Sequence, residues 1–596
     1  MTTRSRPRWR VAVPALLAAL SCSAQAGDPA QSGDLRTLVT AARATLPPAV
    51  AAMLDGRLRI ELSSHLRDGV DGHFRPGVIT LRQDRLDDWR QTRQDPADPA
   101  ARPALAALVH EVAHAWDRSP GGGASRDPRL LDLAGWSATP LHGRLRVNPF
   151  RDRSPDPYEL DSPAEFLAVN LEHFALDADY ACRRPALFAY LAMRTGARAT
   201  TRDCGAPVFA RPATEGAADA SPLLAIDPAR VYAIDYLLAE PDEHPMSRWG
   251  HAMLRIVICA PGHAPGPECR LDLAWHQVLS FRAFVDDVQI SSWRGLTGGY
   301  PTRLFVLPLP QVVDEYTKVE LRTLRSVPLR LSADEIESLL ARATQVHWSY
   351  DGRYRFIDNN CAVDTWRLLH DGVPRLAAQD LASLSPTGLL RRLSRAGIAD
   401  TSTPRDPAEA RRLGYVFDSI GEHLQTMLST ARESLPIRQA RVVDWLDLPP
   451  DARGAWIDRA DLRSTAALLV LENAALRRQQ SRAVDALKRS LGSGSLVTQP
   501  LNDTFRDTLV IAERLSRPAS LLPAGGYGIP DATERAVAAQ RLAEASAHWQ
   551  AGTGALQALG ETALPARQRI ALEATRRNIA RLGDRLRQLA AAKSTD

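Results

Sequence analysis

The sequence predicts an α+β protein of several domains that ends in an all-α third. Three observations predict it. The chain has 596 residues, enough for several domains of roughly 100–200 residues each. Strand-like runs separated by turn signals crowd the stretch from about 230 to 310. From about 405 onward, Leu, Ala and Arg recur at helical spacing with no strand signal.

With 45% hydrophobic and 24% charged residues, the composition is that of a globular protein. Residues 1–26 combine Arg4, Arg6, Arg8 and Arg10, an apolar run from Val11 to Leu20, and Ala24-Gln25-Ala26 before Gly27. These are the three parts of a secretory signal peptide, and the apolar run is too short for a membrane span. Removing 1–26, with four arginines and no acid, takes the formal charge from +5 to +1. The mature chain is therefore not read as a nucleic-acid binder, and the expected location is the periplasm. Acylation of Cys22 would instead anchor it to a membrane, but Ala19 stands where lipoprotein signals usually carry Leu. No later stretch is apolar enough to span a bilayer. Cys182 with Cys204, and Cys259 with Cys269, each bracket a short region and could close disulfides, which leaves Cys361 alone.

The expected division is 1–26 signal peptide, 27–222 first domain, 223–403 middle domain and 404–596 helical domain. The first boundary lies in the small-residue loop from Pro212 to Pro222, and the second near Thr403-Pro404. Arg230–Leu237, Ala252–Ile258 and Leu304–Leu309 are the middle strands. Ala466–Leu491 and Leu564–Leu589 are the clearest C-terminal helices, packing as a bundle and offering a surface for an envelope protein partner.

Leu105, Leu108, Val109, Val112 and Trp116 fall at helical spacing, which predicts a helix over 104–117. His110 and His114, four apart, project from one face and can share a zinc ion, with Glu111 as general base toward attacking water. Zinc needs a third protein ligand. Glu165 is the first candidate, in a helix capped by Asp161 or Ser162 with Pro163 in its first turn, and Glu172 is the alternative. Glu165 also has capping-box spacing from Ser162, which would only tie down the helix end. Gly77–Leu81 reads as a strand that flanks the cleft and pairs with an extended peptide.

These residues resemble gluzincin-type metallopeptidases, the anthrax lethal factor group above all. Glu165-Phe166-Leu167-Ala168 matches that family's zinc-binding Glu-Phe-x-Ala helix, and Tyr158 stands seven residues before Glu165. The resemblance implies a zincin-like fold, Glu165 as ligand and Tyr158 as oxyanion donor. Val169 departs from the pattern, replacing a second acid often found in that helix.

Around Cys361, the apolar spacing from Ala362 to Leu369 suggests a helix beginning at the cysteine, whose dipole would lower the thiol pKa. A cysteine nucleophile needs an imidazole, and His251 at a strand start is the leading candidate. His276 or Asp272 could orient that ring. The bland reading is a buried structural cysteine and a histidine bonded to a turn.

Residues from about 230 to 375 resemble the Lnb N-terminal periplasmic domain family of Gram-negative envelope proteins. The resemblance rests on Gly250-His251-Ala252-Met253-Leu254-Arg255, Gly295-Leu296-x-Gly298-Gly299-Tyr300, Glu315-Tyr316, Tyr354-x-Phe356 and Asn360-Cys361. The His-before-Cys order is similar to circularly permuted papain-like folds of the NlpC type. That resemblance implies hydrolase or acyltransferase chemistry, with Cys361 as nucleophile and His251 as base. The expectation is thus a periplasmic hydrolase with a zinc peptidase site and a thiol site, acting on cell-envelope peptides, peptidoglycan or lipoproteins. The alternative is a non-catalytic envelope scaffold that retains both folds.

Overall fold

In a computed structural model, the chain is described over residues 29–593 apart from 57, 142, 199–201, 212–220, 242–248, 284–299, 356–357, 403, 405 and 494–498. The expected signal peptide and Cys22 lie outside the described residues, as do most of the 212–222 loop, residues 295–299 and Phe356. Among the described residues, no helix is long and apolar enough to cross a membrane.

The first region is helical around a small mixed sheet of β1 (Arg59–Ser63), β2 (Gly72–Arg75) and β3 (Val78–Arg82). Its order is β1-β3-β2, with β3 parallel to β1 and antiparallel to β2. Ile79 and Leu81 alternate inward from β3, onto a core shared with α1 (Arg102–Asp117) and α2 (Pro163–Leu176). Pro103 and Pro163 sit in the first turns, where a missing N–H costs no helical bond.

The middle region is a seven-stranded antiparallel sheet of β4 (Val231–Ala239), β5 (His251–Ile258), β6 (Gln277–Ala283), β7 (Tyr300–Pro308), β8 (Leu324–Pro328), β9 (Gly352–Tyr354) and β10 (Val416–Phe417). The order is β9-β7-β6-β5-β4-β8-β10. Helices α3 (Ala333–Ser349) and α4 (Cys361–Gly372) cover one face, where Ala252, Leu254 and Ile256 meet Cys361, Ala362 and Trp366. The other face carries a separate cluster of Leu237, Met253, Val278 and Tyr316. Strands β4, β5 and β7, buried on both faces, read as near-continuous apolar runs, which made them legible; β6 and β8 were not named from the sequence.

The middle core and sheet draw in residues on both sides of 223–403. Apart from Tyr527, the first core extends to Leu191, while Phe209 already packs in the middle core, held there by hydrogen bonds from Ala210 N–H to His347 and from Trp348 to Val208 O. At the other end, β10 lies beyond residue 403; a two-residue edge strand carries no periodic signal.

The last third holds α5 (Ile420–Ser434), α6 (Leu462–Ser493), α7 (Gln499–Ser516), α8 (Ala532–Ala563) and α9 (Ala566–Lys593). Helices α5, α6 and α9 pack together, and the buried Arg453–Glu472 pair reaches Thr575 of α9. Leu521, Leu522, Ala538 and Leu542 pack on Trp348 of α3, so this third is not an isolated bundle. The first and middle regions are joined by Arg129, which donates to the carbonyls of His370 and Asp371 at the end of α4. Disulfides link Cys182 to Cys204 and Cys259 to Cys269.

Candidate functional site

Helix α1 buries Leu105, Leu108, Val109, Val112 and Trp116 and thereby fixes where its histidines project. The His110 and His114 rings lie 4.8 Å apart. At the start of α2, Ser162 Oγ accepts a hydrogen bond from the Glu165 backbone N–H at 3.2 Å. Only that half of a capping box forms, and the Glu165 carboxylate turns to the histidines. Its Oε2 lies 3.1 Å from Nε2 of each, and the two nitrogens are 3.2 Å apart.

The three atoms form a nearly equilateral triangle, and this group could hold a metal ion. Tetrahedral ligands at about 2.0–2.1 Å from zinc stand roughly 3.3 Å from one another, so the donor set and its spacing fit. A tetrahedral ion held by three such donors would keep a fourth position for water. Glu172, two turns beyond Glu165, places Oε1 2.5 Å from His110 Nδ1. It therefore touches the outer ring nitrogen and serves to orient His110. This corrects the expectation of Glu172 as alternative ligand, because Nδ1 and Nε2 point away from each other.

Burial would lower the His110 pKa, but hydrogen bonds to Glu165 and Glu172 override it and push it up to about 10. Glu165, which burial would raise, is held down at about 2 by the two histidines. The cluster thus favours positive charge at the triangle. Glu111 is buried beside it, its pKa raised mainly by burial against the pull of His110 and His114.

The wall beside Glu111 is β2. A Cβ on Gly72 would fall 2.7 Å from Glu111 Cγ, so the close approach requires glycine. The expected docking strand, Gly77–Leu81, is instead the central strand β3, with both edges paired; β1 and β2 are the two edge strands, and β2 is the one beside Glu111. Tyr158 is half-exposed on the 3-10 turn Pro157–Leu160, its ring 6.2 Å from that of His110. Burial and the Glu165 carboxylate it bonds raise its pKa. The turn is anchored by buried Glu159, which accepts two 2.8 Å hydrogen bonds from Arg184 and one from Asn170 of α2.

At the second constellation, Asn360 caps α4 by accepting from the Ala362 and Val363 backbone N–H groups, which sets Cys361 in the first turn. Cys361 is buried and unpaired. Burial pushes its thiol up to about 11, outweighing the backbone N–H groups of Ala252, Ala362 and Cys361 itself. The expected activation by the helix start is therefore overridden. His251 points away from it: the ring stacks on Tyr316 at 6.0 Å, on the sheet face opposite Cys361, and Nε2 lies 3.1 Å from Ser280 Oγ. Burial, with Arg282 and Arg322 nearby, depresses its pKa to about 3. Neither expected orienting group meets it. His276 contacts Arg255 and the Cys269 carbonyl, while Asp272 contacts His263 and the Ala260 N–H.

Residues 219–396 match the Lnb N-terminal periplasmic domain. The match spans β4 to β9 with α3 and α4. Residues 123–204 match a Domain of unknown function (DUF7844), which takes in Tyr158, Glu165 and Glu172 and begins after His114. No curated protein and no solved structure matches the chain.

Within the Lnb-type domain, the Gly250-His251 element has a backbone reason. Gly250 has a φ of +82°, and a Cβ there would lie 2.8 Å from the Ala239 carbonyl oxygen, so only glycine turns the chain into β5. Glu315 of the same motif set binds Arg282 through both oxygens, at 3.0 and 2.9 Å.

Proposed function

We propose that the first domain is a zinc-dependent peptidase in an exported envelope protein, acting on extended peptides such as peptidoglycan stems or lipoprotein segments. The observation that carries this is the convergence of His110 Nε2, His114 Nε2 and Glu165 Oε2 within 3.2 Å of one another, with Glu172 behind His110. His110, His114 and Glu165 would hold the ion. When bound, zinc supplies Lewis acidity that polarises a carbonyl and makes water acidic enough to attack at neutral pH.

The chain's own residues divide the remaining work. Glu111, buried and held against Gly72, takes the proton of the attacking water and passes it to the leaving amine. Tyr158 donates its hydroxyl hydrogen bond to the developing oxyanion. The outer edge of β2, which pairs with no strand among the described residues, would align the substrate by backbone hydrogen bonds, which favours an extended peptide. The resemblance to the lethal factor group supports the roles given to Glu165 and Tyr158. The periplasmic domain matched at 219–396 and the two disulfides support an envelope substrate.

For the middle domain, a binding or scaffold role is favoured over thiol hydrolase or acyltransferase chemistry. Its thiol is neutral at physiological pH, and His251 is engaged on the opposite face. The test is metal content and cleavage together. The purified chain should carry about one zinc, His110→Ala should lose it, and Glu111→Gln should keep it while losing peptide cleavage by about 10²-fold or more. Less than about a tenth of an equivalent in the wild type would end the metallopeptidase proposal.

A further inference from the structure

The first domain contains a residue that arrives from more than 300 positions away in sequence. The loop 523–531, between α7 and α8, inserts Tyr527 into the first core, where it is 5% exposed. Its hydroxyl donates to Asp177 Oδ2 at 2.5 Å, and its ring lies 4.5 Å from that of His173. His173 directly follows Glu172, whose carboxylate bonds His110 Nδ1, and Asp177 closes the end of the same helix. On its other side, Tyr527 supports Arg184, whose guanidinium lies 5.6 Å from the Tyr527 ring and 5.6 Å from that of Phe166, the neighbour of Glu165. Arg184 in turn holds Glu159, the neighbour of Tyr158.

Close backbone contacts and arginine hydrogen bonds hold the loop in this seat. Gly528 has a φ of +56°, and a Cβ on it would lie 2.2 Å from the Arg183 carbonyl oxygen. Arg153 and Arg183 both donate to the Tyr527 carbonyl and to Glu534 at the start of α8. Three arginines of the first domain thus converge on one aromatic side chain and its backbone.

We infer that Tyr527 of the helical third is a positioning residue for the metal centre, acting through α2 on Glu172 and His110 and through Arg184 and Glu159 on Tyr158. This rests on the zinc reading for its consequence, but not for the positioning itself. The helical third is then part of the first domain's site, and the chain works as one unit.

The test uses the full chain with Co²⁺ as probe, in competition with a chromophoric chelator, beside hydrogen exchange of residues 154–177. Tyr527→Ala should weaken Co²⁺ binding about 10–100-fold, the range for residues behind metal ligands, and should alter the visible Co²⁺ band. Tyr527→Phe keeps the ring and loses only the Asp177 bond, so a loss of about three- to tenfold is expected. Gly528→Ala should unseat the loop and match Tyr527→Ala. A general loss of stability would lower the melting temperature without changing the Co²⁺ band. If Tyr527→Ala fails to fold, the other two variants read the same affinity. Binding within about twofold of wild type in every folded variant, with an unchanged band, overturns the inference. If the wild type takes up no Co²⁺, the zinc reading fails instead. Exchange over 154–177 then decides alone: faster in the variants upholds positioning, and unchanged overturns it.

Discussion

Replacing Glu172 by Gln keeps the size and an acceptor oxygen but removes the charge behind His110. Glu172 Oε1 lies 2.5 Å from His110 Nδ1, and the two side chains are 21% and 15% exposed, so the bond is charge-assisted and largely shielded from water. A hydrogen bond to a charged group contributes about 1.5–3 kcal/mol and a neutral one about 0.5–1.5 kcal/mol. The exchange therefore costs about 1–1.5 kcal/mol, a rise of about five- to twelvefold in the zinc Kd. Glu172→Ala removes the bond altogether and should cost about 10–100-fold. Glu165→Ala removes a ligand whose oxygen meets both histidines, and should cost more than either. Competition against a chromophoric chelator at neutral pH measures all three. Equal losses for Glu172→Gln and Glu165→Ala would make Glu172 a ligand. A Glu172→Ala Kd within about twofold of wild type would remove its orienting role.

Gly72→Ala should push Glu111 out of place, since the new methyl would fall 2.7 Å from Glu111 Cγ. Zinc affinity should hold while peptide cleavage drops by about 10²-fold, and an undiminished rate would refute the role given to β2. For Cys361, the thiolate is the reactive form and its pKa is about 11, so roughly a thousandth is ionised at pH 8. Alkylation followed by mass spectrometry should therefore speed up continuously from pH 7 through pH 10, unchanged by His251→Ala. A plateau near pH 7 would instead reveal an activated thiolate. Replacing Cys182 and Cys204 by Ala opens a loop of sequence separation 22 and should cost about 3 kcal/mol of stability. Urea unfolding reads this directly, and a loss under about 1 kcal/mol would contradict it.

Local chemistry was legible along the chain. The apolar spacing of α1 places His110 and His114 on one side of it, Ser162 and Pro163 start α2, and Asn360 starts α4. Three inner strands of the middle sheet, β4, β5 and β7, announce themselves as apolar runs, whereas β6 and β8 were not among the strands read from the sequence. Glu165 and Glu172, seven apart, share a face of α2. The packing of α2 on α1 decides what each meets: Glu165 reaches the inner nitrogens of both histidines and Glu172 the outer nitrogen of His110.

Long-range packing reversed what local pattern implied for Cys361. A helix start favours a thiolate, but the core around α4 desolvates the sulfur, and burial wins. Strand alternation sends His251 to the far face, a relation that exists only once α4 has chosen its side of the sheet. Tyr527 carried no signal at all, since nothing in a loop beyond residue 520 indicates that it will pack beside His173. Local spacing sets which groups a helix can offer. The partners, the protonation and the working face depend on contacts between segments hundreds of residues apart, and those form only in the folded chain.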